Sequence, residues 1–266
     1  MRAFRVAYDG RPFYGFQRQP DVPTVEDAMF DALRELGVLD GDAPDGYAAA
    51  GRTDAGVSAV AQTVAFACPD WCTPAALDGV FPPSIRAWAA ADVPDDFHAT
   101  HDAVSRTYTY HCYAPAADDA RARAAASALA GEHDFHNLTP DDDNTVRTLD
   151  IALSRDGDFL VFTVSAGGFA RELVRRAVAL VHAVATGDSD VARVDRVLGS
   201  DPLDGSGGVG PAPATPLVLT GVDYPGVDFT ADEDALAGTR EIFGEKRVEG
   251  LVAARVAGTI LDGVGG

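Results

Sequence analysis

The chain has 266 residues, 47% of them hydrophobic, which suffices for a packed interior and excludes a wholly disordered protein. It carries 41 acidic against 21 basic residues, a net charge of -20, with Lys246 the sole lysine; such an acid-rich, lysine-poor chain is expected in a salt-rich cytoplasm where self-repulsion is screened. Three cysteines (Cys68, Cys72, Cys112), no apolar leader and no long apolar run argue against a disulfide framework, secretion and membrane insertion, and for a cytoplasmic location.

In chain order, FRVAYDG (4–10) reads as a strand ending in a turn. TVEDAMFDALREL (24–36) reads as a helix capped by Thr24 with Asp27 three residues on, and with Val25, Met29, Leu33 and Leu36 on one face. AGRTDAG (50–56) is a glycine-bracketed loop, followed by the alternating strand VAQTVAFAC (60–68), whose Val60, Gln62, Val64, Phe66 and Cys68 oppose a face of small residues. The strand SRTYTYHCYA (105–114) leads into a helix at 118–131. Two strands at 148–153 and 159–165 follow around the SRDGDF turn, and then an apolar helix at 170–185. The Gly/Pro-rich stretch 199–216 must be loop, and two acidic helical segments at about 232–246 and 249–261 close the chain. Helices alternating with hairpin-linked strands predict an α+β fold: two related halves sharing a mixed or antiparallel sheet flanked by helices, with a cleft between them. The expected divisions are 1–104, 105–225 and an appended tail, 226–266.

Such negative charge opposes nucleic-acid binding, because phosphates attract cations. The distribution softens the objection. Residues 1–20 hold Arg2, Arg5, Arg11 and Arg18 against Asp9 alone, whereas residues 187–237 hold ten acids against Arg193 and Arg196. The chain could therefore be acidic outside and basic in one cleft.

Asp54 stands in the Gly51–Gly56 loop, where a turn-capping aspartate and a catalytic one are both admissible. On the 170–185 helix, Arg171 and Arg175 at i, i+4 and His182 beyond them form one polar stripe in an otherwise apolar surface. A buried arginine needs a carboxylate partner, and Asp54 is a candidate; a solvent-facing stripe is the alternative. Tyr108 and Tyr110 alternate with Arg106 on a strand, as core aromatics do and as base-stacking platforms in RNA-binding sheets do.

Seven segments in order give these residues a context. They are YDGRPFYGFQRQ (8–19), TVEDAM (24–29), AGRTDAGVSAVAQ (50–62), DDFHATHDAVSRTYTY (95–110), GEHDFHNL (131–138), GFARELVRR (168–176) and PAPATPLVLTGVDY (211–224). Together they resemble the tRNA pseudouridine synthase A family over about residues 4–224, in an archaeal, halophilic version. Ser58 and Phe16 stand where members usually carry His and Trp. The resemblance implies isomerisation of uridine to pseudouridine at positions 38–40 of the tRNA anticodon stem-loop, by a homodimer without cofactor or metal. It implies that Asp54 attacks or deprotonates the target ribose, that Tyr108 stacks on the base and helps remove its C5 proton, and that Arg175 pairs with Asp54. Arg52 would help displace the nucleotide, and Arg106, Arg171, Arg18 and Gln17 would contact RNA. Three rivals stand against this: a zinc site at Cys68 and Cys72 with Cys112 or a histidine, a glycosidase, and a non-catalytic RNA-binding protein on the same fold. The first lacks a second ligand pair, the second lacks a paired carboxylic acid, and the third leaves the Asp–Tyr–Arg set unused.

Overall fold

The computed structural model describes residues 1–203 and 205–265. The first half contains β1 (Arg2–Tyr8), α1 (Val25–Glu35), β2 (Ala48–Ala49), β3 (Ser58–Phe66), α2 (Pro74–Asp78) and β4 (Ile85–Asp92). The second contains β5 (Ser105–Tyr113), α3 (Asp119–Leu129), β6 (Gly131–Asp134), β7 (Val146–Asp156), β8 (Phe159–Ala166), α4 (Leu173–Thr186), α5 (Ala192–Val197) and β9 (Leu217–Asp223). The chain closes with β10 (Thr230–Ala231) and α6 (Glu233–Val264).

The strands form one mixed sheet in the order β10-β4-β1-β3-β9-β5-β8-β7-β6, with β2 paired to β3. The triplets β4-β1-β3 and β9-β5-β8 occur in the same spatial order, each with its middle strand antiparallel to both neighbours. The expected α+β fold of two related halves is therefore present. The halves join through a short parallel contact, Ser58↔Val218 and Ala59↔Leu219, immediately after the 50–57 loop. That loop consequently sits at the seam, where side chains from both halves can converge.

Local signals explain most elements. Thr24 Oγ1 accepts from the Asp27 amide and donates to its carboxylate at 2.7 Å, closing the start of α1. Val25, Met29 and Leu33 bury the inner face of α1 in a first core shared with Phe4, Phe66 and Ile85. A second core gathers α3, α4 and the inner faces of β5 and β8, including Phe162, Leu180 and Val184. Tyr108 packs against both. The β7–β8 strands run longer than expected, to either side of a two-residue turn in which Gly157 has φ +55°. The alternation expected of β3 is masked, because both of its faces are buried from Ala61 to Phe66.

Three expectations need correction. The Ala-rich segment IRAWAAAD, not anticipated as a strand, forms β4, held between β1 and β10 with its alternate residues buried. The two tail helices are one, α6, of 32 residues and about 48 Å. The tail also packs on the first half: β10 extends that half's sheet, Asp232 caps α6, and Lys246 Nζ donates to Asp9 Oδ2 at 2.9 Å. The 199–216 stretch is loop with one 3-10 turn at Gly205–Gly207, and Asp204 lies outside the described residues. The four arginines of residues 1–20 form no free basic patch. Arg2 pairs with Asp92, Arg11 with Asp9 and Arg18 with Asp27, while Arg5 donates to Ala61, Thr63 and Val222.

Candidate active site

The 50–57 loop is tied at both ends and in the middle. The Ala50 amide donates to Thr63 O at 2.8 Å, Phe16 N to Thr53 O at 3.0 Å, and Gly56 N to Phe13 O at 3.2 Å. Gln62, fully buried on β3, donates from Nε2 to Gly51 O at 2.8 Å. Thr53 Oγ1 shares a 2.7 Å hydrogen bond with the buried Tyr8 hydroxyl, whose pKa burial drives upward. The loop packs onto Gly10 so closely that a Cβ there would lie 2.0 Å from Val57 O, so only glycine fits. Ser58 Oγ accepts from the Gly10 amide at 3.0 Å.

Arg106 was expected to contact RNA, and the structure gives it other work. All five of its N–H groups point at carbonyl oxygens: Nε and Nη2 at Ala50, Nη1 at Ala103 and Gly167, and Nη2 also at Thr100. A guanidinium has five donors, so none is left for phosphate. It clamps the start of the 50–57 loop to two neighbouring loops. Arg106→Lys, with three donors on a tetrahedral head, is expected to lower kcat by about 10–100-fold through misplacement of the loop. The slope of log affinity against log salt should stay unchanged. A shallower slope with kcat intact would instead mark Arg106 as a phosphate contact.

Asp54 follows four residues after the clamped Ala50 and faces the start of α4. Its Oδ2 lies 3.1 Å from Arg175 Nη1, across 121 residues of sequence. The Arg175 side chain is 14% exposed and that of Asp54 34%, so the cation is held in the wall while the carboxylate remains reachable. Arg175 Nε donates to Ala212 O at 2.8 Å, which fixes its direction. Tyr108 sits beside this pair on β5, next to a register shift between Thr107 and Tyr108. Its ring meets Phe169 edge-on at 5.2 Å. Burial, reinforced by the charge of Asp54 and opposed by Arg106, pushes the Tyr108 hydroxyl up to about 12. Tyr110, two residues on, is buried in the second core and donates to Pro213 O at 3.0 Å.

The polar stripe expected along α4 does not form. Glu172 adopts a left-handed backbone (φ +61°), delaying the helix to Leu173, and accepts from both Nε and Nη2 of Arg176. Arg171 therefore lies in the preceding turn, exposed, with its amide and guanidinium both directed at Asp141.

Asp54, Tyr108 and Arg175 line one cleft of about 1000 Å³ together with Arg52, Arg106, Arg171 and Gln17. Arg18 is not among the lining residues; its guanidinium is taken by Asp27 and Asp42 O on the outer side of α1. Arg52 is exposed and, among the described residues, forms no side-chain hydrogen bond or ion pair, so it is the free cation of the cleft. The expected basic cleft is not found. Arg52, Arg106, Arg171 and Arg175 are matched in the lining by Glu26, Asp54, Asp141 and Glu172. Sequence reasoning also missed Phe169, Glu172 and the exposed pair His98 and His101 in this lining. Among the described residues no three His, Cys, Asp or Glu side chains cluster as a metal site, and Cys112 belongs to a different core from Cys72.

A family model described as tRNA pseudouridine synthase matches residues 125–225. A tRNA pseudouridine synthase A of Haloarcula marismortui is 56% identical over 99% of this chain and 100% of its own length. The chain belongs to the tRNA pseudouridine synthase A family. Further members from Halobacterium salinarum (60% identical, 97% of each chain) and Natronomonas pharaonis (58%, 98% of each) share the halophilic setting that the acidic composition implied. As a tRNA pseudouridine synthase, the protein is an isomerase that converts uridine to pseudouridine in tRNA. No described helix is long and apolar enough to cross a membrane.

Proposed function

We propose that this synthase modifies positions 38–40 of the anticodon stem-loop, with Asp54 as its essential carboxylate. The observation that carries the proposal is the Asp54–Arg175 pair at 3.1 Å inside a cleft large enough for one extruded nucleotide. A stem uridine must leave the helix to be reached, at a cost of a few kcal/mol. Arg52, the unengaged cation, takes the RNA backbone and helps displace the nucleotide. Asp54 acts on the ribose, as nucleophile or as base, so that the glycosidic bond breaks and the departing uracil carries the negative charge. The base then turns and rejoins the sugar through C5.

Tyr108 is the platform that holds the base through this turn. With a pKa of about 12 its hydroxyl keeps its proton at neutral pH, so it cannot deprotonate an ordinary C–H. Once C5 is bonded to the sugar, its remaining hydrogen lies beside a carbonyl and is acidic; the Tyr108 oxygen accepts that proton as its own hydroxyl proton passes on through solvent, and N1, freed from the sugar, ends protonated. Gln17 and Arg171, both exposed in the lining, touch the RNA beyond the target base. These side chains suffice for the chemistry, and no cofactor is invoked.

The enzyme works in the cytoplasm as a homodimer. The second half of α6 offers a surface for this: Val248, Leu251, Val252, Val256, Ile260, Leu261 and Val264 are all more than half exposed. Pseudouridine mapping in host tRNA with and without this protein tests the assignment. Marks at 38–40 that vanish without it are expected, and unchanged marks there would overturn the site assignment. A monomeric mass in solution at the salt of the assay would overturn the dimer.

A further inference from the structure

The cleft presents a difficulty for RNA binding. Its charged lining is balanced, the protein around it has a net charge of -20, and in a salt-rich cytoplasm counterion release contributes little. Affinity must therefore come from contacts that salt does not weaken, and stacking on bases is the strongest of these.

The lining holds one unassigned aromatic pair. The rings of His98 and His101 lie 4.1 Å apart, centroid to centroid, and tilted by 41°; both residues are exposed and both line the cleft that holds Asp54. Their loop is rigid. The His98 amide donates to Asp102 Oδ2 at 2.7 Å, and the His101 amide to His98 O at 3.0 Å. The Thr100 amide donates to His98 Nδ1 at 3.2 Å. Thr100 Oγ1 donates to Ala49 O, and Arg106 ties Thr100 O and Ala50 O together. The two rings are thus fixed to the root of the loop that carries Asp54.

We infer that His98 and His101 form a stacking shelf for an unpaired nucleobase flanking the extruded uridine. The inference rests on the reading that this cleft receives RNA. A nucleotide pulled from a stem leaves its neighbours unstacked, and an aromatic face at a fixed offset from the catalytic loop replaces the lost stacking. Such a contact is tolerant of base identity and insensitive to salt. It holds the RNA in register and takes no part in the chemistry, so its signature is in KM.

The clean variants are at His101, whose ring makes no hydrogen bond among the described residues. Steady-state kinetics on full-length tRNA at host-like salt should show KM raised on the order of tenfold in His101→Ala, with kcat retained. His101→Phe should recover the wild-type KM, and the salt dependence of binding should be the same in all three proteins. Wild-type KM in His101→Ala overturns the shelf. So does a Phe variant as weak as the Ala variant with a shallower salt dependence, which would identify a cationic contact to phosphate. Asp54→Asn run alongside separates the two readings: if it turns over, the catalytic assignment of the cleft fails, whereas if it is inactive while His101→Ala binds normally, only the shelf fails.

Discussion

Asp54→Asn is expected to reduce pseudouridine formation by at least about 10⁴-fold while tRNA still binds, because the acting group itself is removed. The substitution keeps shape and removes charge. An asparagine oxygen can still accept from Arg175 Nη1, and the loop ties to Thr63, Phe16, Phe13, Gln62 and Tyr8 do not involve the Asp54 side chain. The fold should therefore survive, and the loss should fall on turnover. Tritium release from C5-labelled uridine in tRNA measures turnover, and equilibrium binding measures the rest. Release at the wild-type rate would sink the assignment. Loss of binding together with release would place Asp54 in RNA recognition instead.

Arg175→Ala should cost both stability and rate. The guanidinium joins three segments: α4, which carries it, the Asp54 loop through Nη1, and the loop before β9 through the 2.8 Å bond from Nε to Ala212 O. Truncation leaves a carboxylate without its cation. Breaking a fully buried pair costs about 3–5 kcal/mol, and the solvent reaching Asp54 reduces this to about 2 kcal/mol. That corresponds to a fall in melting temperature of roughly 4–8 °C. The rate should fall by about 10²–10³-fold, the usual effect of removing a positioned donor beside reacting charge. A variant with wild-type melting and wild-type tritium release would show that the pair is ornamental. Arg175→Lys, which restores charge without the second donor direction, should recover stability better than rate.

Several features were readable from residue order because they depend on neighbours within a few positions. The Thr24 cap, the buried face of α1, the apolar surface of the 173–184 segment and the turn between β7 and β8 all follow from local periodicity and turn chemistry. The ordered motifs carried the reaction class and named Asp54, Tyr108 and Arg175 as candidates. Composition carried the salt-rich setting.

Tertiary structure alone decided the rest. The Asp54–Arg175 contact spans 121 residues, and no local pattern encodes such a distance. β4 looks like a helix former by composition; it is a strand because β1 and β10 supply its hydrogen bonds on both edges. Arg106 looked like an RNA contact because sequence displays side chains and hides carbonyls, and its partners are four backbone oxygens brought together by folding. The basic N-terminal stretch looked like a phosphate site until its arginines met acids from other elements. Residue order set which chemical groups the molecule owns; chain packing set which of them remain unsatisfied, and only an unsatisfied group has free energy left for a substrate.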